Sequence, residues 1–152
     1  MFHNIMLPLD GSELAENALE KAFELARLAQ ARLHLVRAQE YPEAIIENRD
    51  EYPTLHGYYE QEKADCQAYL NKVKGRLGEG VVVETHLVSG ESPTQALLTF
   101  ARQHQIDLIV AASHGRTGVT RWLLGSVAEK LARLSPCPVM IVRREAPDEP
   151  GQ

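Results

Sequence analysis

Cysteine is nearly missing from this chain of 152 residues. Cys66 and Cys137 are the only two, which excludes a disulfide framework and a four-thiolate zinc site. A basic excess is missing too. Sixteen Lys and Arg stand against 21 Asp and Glu, for a formal charge of −5, and no basic block interrupts the acidic balance. Such a chain is a poor candidate for binding nucleic acid or an anionic membrane. No apolar run approaches membrane length; the longest, Leu108 to Ala112, is strand-sized. The opening MFHNIMLPLDGS has neither the basic start nor the cleavage region of a signal peptide, so the expected setting is reducing and cytoplasmic. Internal repeats are absent.

What is present is ordinary globular material, 44% hydrophobic and 24% charged, in a length that suits one domain. Short apolar runs alternate with longer amphipathic ones. Ile5 to Leu7, Leu33 to Ala38, Val81 to Val88, Leu108 to Ala112 and Val139 to Val142 read as strands. The third has mixed polarity, which suggests a partly exposed edge, whereas the unbroken fourth suits a central parallel strand covered on both faces. Leu14, Ala18, Ala22, Leu25 and Ala29 recur at helical spacing and predict one helix over Glu13 to Gln30, capped by Ser12. Further helices are predicted over Tyr58 to Leu77, from Pro93 with Leu97, Phe100, Ala101 and His104 inward, and around Leu124 to Leu134. The polar span Tyr41 to His56 and the acidic tail 145–152 read as unstructured. Strict alternation of strand and helix implies a parallel sheet with right-handed crossovers and helices on both faces. Function in such folds sits beyond the carboxyl ends of the strands.

Two strand-to-helix loops stand out there. Pro8-Leu9-Asp10-Gly11-Ser12 follows the first strand, and Ser113 to Ser126 follows the fourth. The second loop carries Gly115, Gly118, Gly125 and Ser126 and runs into a helix, whose free amides and dipole attract phosphate. Glycine lets a backbone approach an anion closely. The same glycines also serve as ordinary turn formers, and the spacing matches neither a Walker A loop nor a dinucleotide fingerprint.

Gly115, nine residues, then Gly125-Ser126, within the phrases SHGRTG, LLGSVAEKLA and SPCPVMIVR, resembles the ATP-binding signature of the universal stress protein family. The opening NIMLPLDGSELAENALEKAFELA resembles that family's first strand and helix. One motif position differs: Ala112 stands where the family has its first glycine. The resemblance implies a universal stress protein domain over 1–144, with 145–152 as a flexible tail. It implies a doubly wound five-stranded parallel sheet of order 3-2-1-4-5, like that of the adenine nucleotide alpha hydrolases. It implies ATP, with ADP or AMP as alternatives and Mg²⁺ alongside, held between the loops after strands one and four. Carried over by position, Pro8, Leu9 and Asp10 border the adenosine and Val36 contacts the adenine. Ala111, Ala112, Gly115, Gly125, Ser126 and Val127 surround the ribose and phosphates. It further implies a homodimer through Val139 to Val142.

No nucleophile–base pair or general base aimed at a γ-phosphate is evident, so the chain reads as a stress-response regulator rather than an enzyme, with hydrolysis slow or incidental. The alternative is a nucleotide-independent homodimeric interaction module of the same fold. The six histidines, at 3, 34, 56, 86, 104 and 114, do not pair with Cys or an acid at metal-ligand spacing, and the sequence predicts no metal site from protein ligands alone.

Overall fold

The computed structural model describes residues 1–40, 47–113 and 125–143. Its five strands are β1 (Asn4–Pro8), β2 (Arg32–Glu40), β3 (Val83–Gly90), β4 (Leu108–Ala112) and β5 (Val139–Val142). They form one all-parallel sheet in the order β3-β2-β1-β4-β5, as expected. The described helices are α1 (Glu13–Glu16), α2 (Leu19–Ala29), α3 (Pro53–Gly75), α4 (Pro93–Gln103) and α5 (Ser126–Leu134). None is long and apolar enough to cross a membrane. The tail 145–152 lies outside the described residues.

The centre of the sheet is dry. Ile5, Met6 and Leu7 of β1, Leu33, Leu35 and Val36 of β2, and Ile109 and Val110 of β4 have no exposed surface. Alternation along each strand sends their side chains to opposite faces. Ile5, Leu7, Leu33 and Leu35 meet α2 and α3 through Ala22, Ala26, Leu70 and Val73. Met6, Val36 and Ile109 meet α4 and α5 through Leu97, Phe100 and Leu131. At the amino end, the Asp107 carboxylate accepts from the backbone amides of His3 (2.7 Å) and Asn4 (3.1 Å), tying β4 to β1. Edge strand β3 is half-buried along most of its length, as its mixed polarity suggested.

Three boundaries differ from the periodicity. The first predicted helix is two: α1 ends at Glu16 and α2 starts at Leu19, with turn geometry at Asn17 and Ala18. Ala18 still occupies its core position, so the apolar spacing persists across the break. Helix α3 begins at Pro53 rather than Tyr58, because proline at the first helical position needs no acceptor for a missing N–H. Strand β3 begins at Val83, two residues later than the apolar run. His104 also departs from its inward placement. It is exposed at the end of α4, with its ring stacked on Phe100 at a centroid distance of 3.9 Å.

His34 is the polar intruder in this core, only 2% exposed. Burial, reinforced by the neighbouring His86, lowers its pKa from 6.5 to about 4. The unfolded chain takes up this proton near its ordinary value while the folded chain does so only near pH 4. The associated stability is therefore complete above pH 6.5 and drains away as the pH falls towards 4. Between pH 7 and pH 4.5 the protein should lose roughly 2.5 kcal/mol more than a His34→Gln variant. Urea titrations at the two pH values check this; equal losses in both proteins would refute it.

Candidate functional site

Strands β1 and β4 lie side by side, yet the helices that follow them, α2 and α5, pack on opposite faces of the sheet. The loop after β1 and the start of α5 consequently flank an open crevice of about 110 Å³ at the carboxyl end of the sheet.

The β1 loop is built tightly. The Leu9 amide donates to the Val36 carbonyl at 2.8 Å, which ties the start of the loop to the middle of β2. One Asp10 oxygen accepts from the Ser12 amide at 2.8 Å and from the Ser12 hydroxyl. Ser12 then caps α1 by accepting from the Ala15 amide at 3.2 Å. Gly11 between them has φ +88°, and a Cβ there would stand 2.9 Å from an Arg37 guanidinium nitrogen. The positive φ demands glycine, whereas the guanidinium is the end of a flexible side chain that can swing aside. The Arg37 guanidinium lies over the Tyr69 ring, 5.0 Å from its centroid.

Across the crevice, Gly125 precedes α5 with no side chain to cap it. Its carbonyl accepts from the Glu129 amide at 2.9 Å, while the first-turn amides of the helix have no acceptor within it. These amides and the helix dipole favour an anion. Among the described lining residues, Asp10 is the sole side chain that is charged at neutral pH. A polyanion here depends on backbone donors.

The structure brings Pro8, Leu9, Asp10, Ala111, Ala112, Gly125 and Val127 together around this crevice. Ser126 is the exposed first residue of α5, beside the crevice rather than in its lining. Gly115 lies outside the described residues. Val36 does not reach the space at all. It has no exposed surface and packs in the core, contributing only its carbonyl to Leu9. Ala38 lines the crevice instead. Strand alternation keeps residues two apart on one face, and β2 runs on to Glu40, so the surface-reaching position of that face is two residues further along. Ser12, Leu14, Ala15 and Pro93 also contribute to the wall; only Ser12 and Pro93, as helix-start signals, could have been singled out from sequence. Ala112 ends β4 in register with Val142, in extended backbone that makes no demand for glycine.

Residues 1–143 match the family model described as the universal stress protein family. The universal stress protein YxiE of Bacillus subtilis is 33% identical over 151 residues, covering 94% of this chain and all of the relative. Universal stress protein MJ0577 of Methanocaldococcus jannaschii is 30% identical, covering 95% of this chain and 97% of the relative. A solved universal stress protein in complex with cAMP superposes with a TM-score of 0.67 at 25% identity, covering 95% of this chain and 98% of that one.

Proposed function

The chain belongs to the universal stress protein family, and on that premise we propose that it is a regulatory protein that binds an adenine nucleotide in the crevice between the β1 loop and the start of α5. One observation carries the reading: an apolar-walled space whose lining includes both the Asp10 carboxylate and the uncapped first turn of α5. This polarity suits a nucleoside with an anionic tail. Asp10 accepts hydrogen bonds and repels phosphate, so it belongs at the sugar end, with one oxygen kept by Ser12 and the other left for a hydroxyl. Leu9, Ala38 and Val127 offer apolar contact to the base and ribose. The amides of Ser126 and Val127 and the Ser126 hydroxyl serve the phosphates. The solved relative that holds cAMP supports the choice of an adenine nucleotide.

ATP is the nucleotide proposed, with ADP and AMP as competitors. Mg²⁺ fits the same site, because the described lining has no cation to balance a triphosphate; bound there, the ion supplies that charge. A binding role with slow hydrolysis belongs to the same proposal, with Asp10 assigned to the sugar rather than to water. The test is calorimetric titration and thermal shift with Mg-ATP, ADP and AMP. Ligand at one hundred times its dissociation constant should stabilise the fold by about 2.7 kcal/mol. No shift with any of the three would sink this reading in favour of a nucleotide-independent interaction module.

The proposal extends to a two-fold dimer. β5 is an edge strand whose far side has no partner within the described chain, and Met140 on it is 40% exposed. Pairing with a second copy would cover those backbone groups. Sedimentation at micromolar concentration should give twice the 17.0 kDa chain mass; a monomer at that concentration would refute the dimer.

A further inference from the structure

At the opposite end of the sheet, three side chains from two neighbouring strands converge. His34 of β2 is in register with Glu84 of β3, and Val36 is in register with His86, so the alternation that aligns His34 with Glu84 puts His86 on the same face. His34 Nδ1 lies 3.0 Å from His86 Nε2. One carboxylate oxygen of Glu84 lies 3.5 Å from that His34 nitrogen and 3.6 Å from that His86 nitrogen. We propose that His34, Glu84 and His86 form a binding site for a divalent transition-metal ion of the zinc class, separate from the nucleotide crevice and independent of that reading.

The geometry supports an ion rather than hydrogen bonding alone. The three sides of this triangle leave a point roughly 2.0 Å from all three atoms, the distance at which zinc binds nitrogen and carboxylate oxygen. Two imidazoles and one carboxylate are a ligand set that zinc accepts with a fourth position open. The rings are already oriented from behind. The Asn4 side-chain oxygen lies 3.2 Å from His34 Nε2, so it accepts that ring's proton and leaves the Nδ1 lone pair facing His86 and Glu84. The other Glu84 oxygen is held by Arg32 at 3.4 Å, which turns the first towards the histidines. Burial lowers the pKa of both His34 and His86, keeping them in the neutral form that a metal requires. In the apo arrangement His86 Nε2–H can donate to His34 Nδ1; a metal takes the place of that proton, and the His86 ring stays neutral by carrying its proton on Nδ1.

A further imidazole stands nearby. The His104 ring centroid lies 5.3 Å from that of His86. Its Nδ1 donates to the Phe100 carbonyl at 3.2 Å, which leaves the lone pair on Nε2. A water can complete the shell, with His104 lying outside the three-ligand cluster. Glu84 and His86 remain partly exposed at the sheet edge, so an ion can reach them, while His34 is buried beneath. Spacing along the chain hides the cluster, because His34 lies 52 residues before His86 and meets the Glu84–His86 pair only through the register of two parallel strands. From His34 to Ala38 is four strand residues, placing this site roughly 13 Å from the crevice along the sheet.

The test uses the full-length chain, stripped by chelator and titrated with Zn²⁺ alone, then with Co²⁺ as a spectroscopic substitute. The expected result is about one equivalent of zinc, a raised melting temperature, and cobalt bands in the visible without thiolate charge transfer. Glu84→Gln and His86→Ala should each weaken zinc binding at least tenfold, and Asn4→Ala about tenfold through the loss of ring orientation. Glu84→Gln is nearly isosteric and keeps the test decisive if His86→Ala fails to fold. Ala38→Trp in the crevice should leave zinc affinity unchanged. No zinc binding at roughly 100 µM, unchanged affinity in Glu84→Gln, or a thiolate band implicating Cys66 or Cys137 would overturn the proposal.

Discussion

Replacing Ala38 with Trp should weaken Mg-ATP binding by at least about one hundredfold, or 2.7 kcal/mol. Ala38 lies near the carboxyl end of β2, half-buried, with its methyl on the wall of the crevice. The same wall contains Leu9 and Leu97, so an indole projecting from Ala38 finds apolar surface and fills the volume a purine would take. The backbone there is regular strand paired with Val88, and the new ring grows into open space, so folding should persist. The melting temperature without ligand is the control, and calorimetry with Mg-ATP is the readout. Binding as tight as in the parent protein would show that the nucleotide sits elsewhere. Asp10→Ala probes the other end of the same crevice. It removes the Ser12 contacts and the proposed acceptor for the ribose, and should weaken binding about tenfold, the size of one charged hydrogen bond.

The second large effect concerns the scaffold. Leu35 has no exposed surface, sits in mid-strand on β2, and is flanked in register by Leu7 on β1 and Thr85 on β3. On its face of the sheet lie Leu33, Leu70 and Val73. Leu35→Ala leaves a cavity that residues fixed on a sheet and a long helix cannot collapse to fill. The expected loss is about 3–4 kcal/mol, against a total stability of about 5–15 kcal/mol. Leu28→Ala removes the same atoms from a side chain 68% exposed on α2 and should change stability by less than about 0.5 kcal/mol. Urea unfolding of the two variants side by side is the measurement. A loss below 1 kcal/mol at Leu35 would mean that this face of the sheet is loosely packed.

Much of the site is legible in the amino-acid sequence. Asp10-Gly11-Ser12 announces a turn and a cap, and the structure shows the left-handed glycine and the Ser12 cap that the letters suggest. Gly125-Ser126 announces a helix start, and α5 begins there. These are local signals: a φ that only glycine accepts or an amide that needs an acceptor involves residues within one turn of each other. Val36 shows where local signals stop. Its position two residues short of the crevice depends on how far β2 extends before its end clears the β1 loop, and that is decided by β3 running alongside to Gly90. The break after Glu16 is similar. The apolar spacing continues across it unchanged, and periodicity alone cannot register a turn that leaves the buried face in place.

By itself, the amino-acid sequence determined the alternation of strand and helix, the membership of the parallel-sheet class, the identity of the two loops that matter and the family resemblance. All of these are written in short-range patterns of apolar spacing, caps and turns. Only the tertiary structure decided which residues become neighbours across strands. Strand order placed Asp10 and Gly125 on either side of one crevice, and register placed His34 beside Glu84 and His86. The reason is physical: pairing of parallel strands is set by collective burial of both faces of the sheet, a sum over many residues that no short window contains.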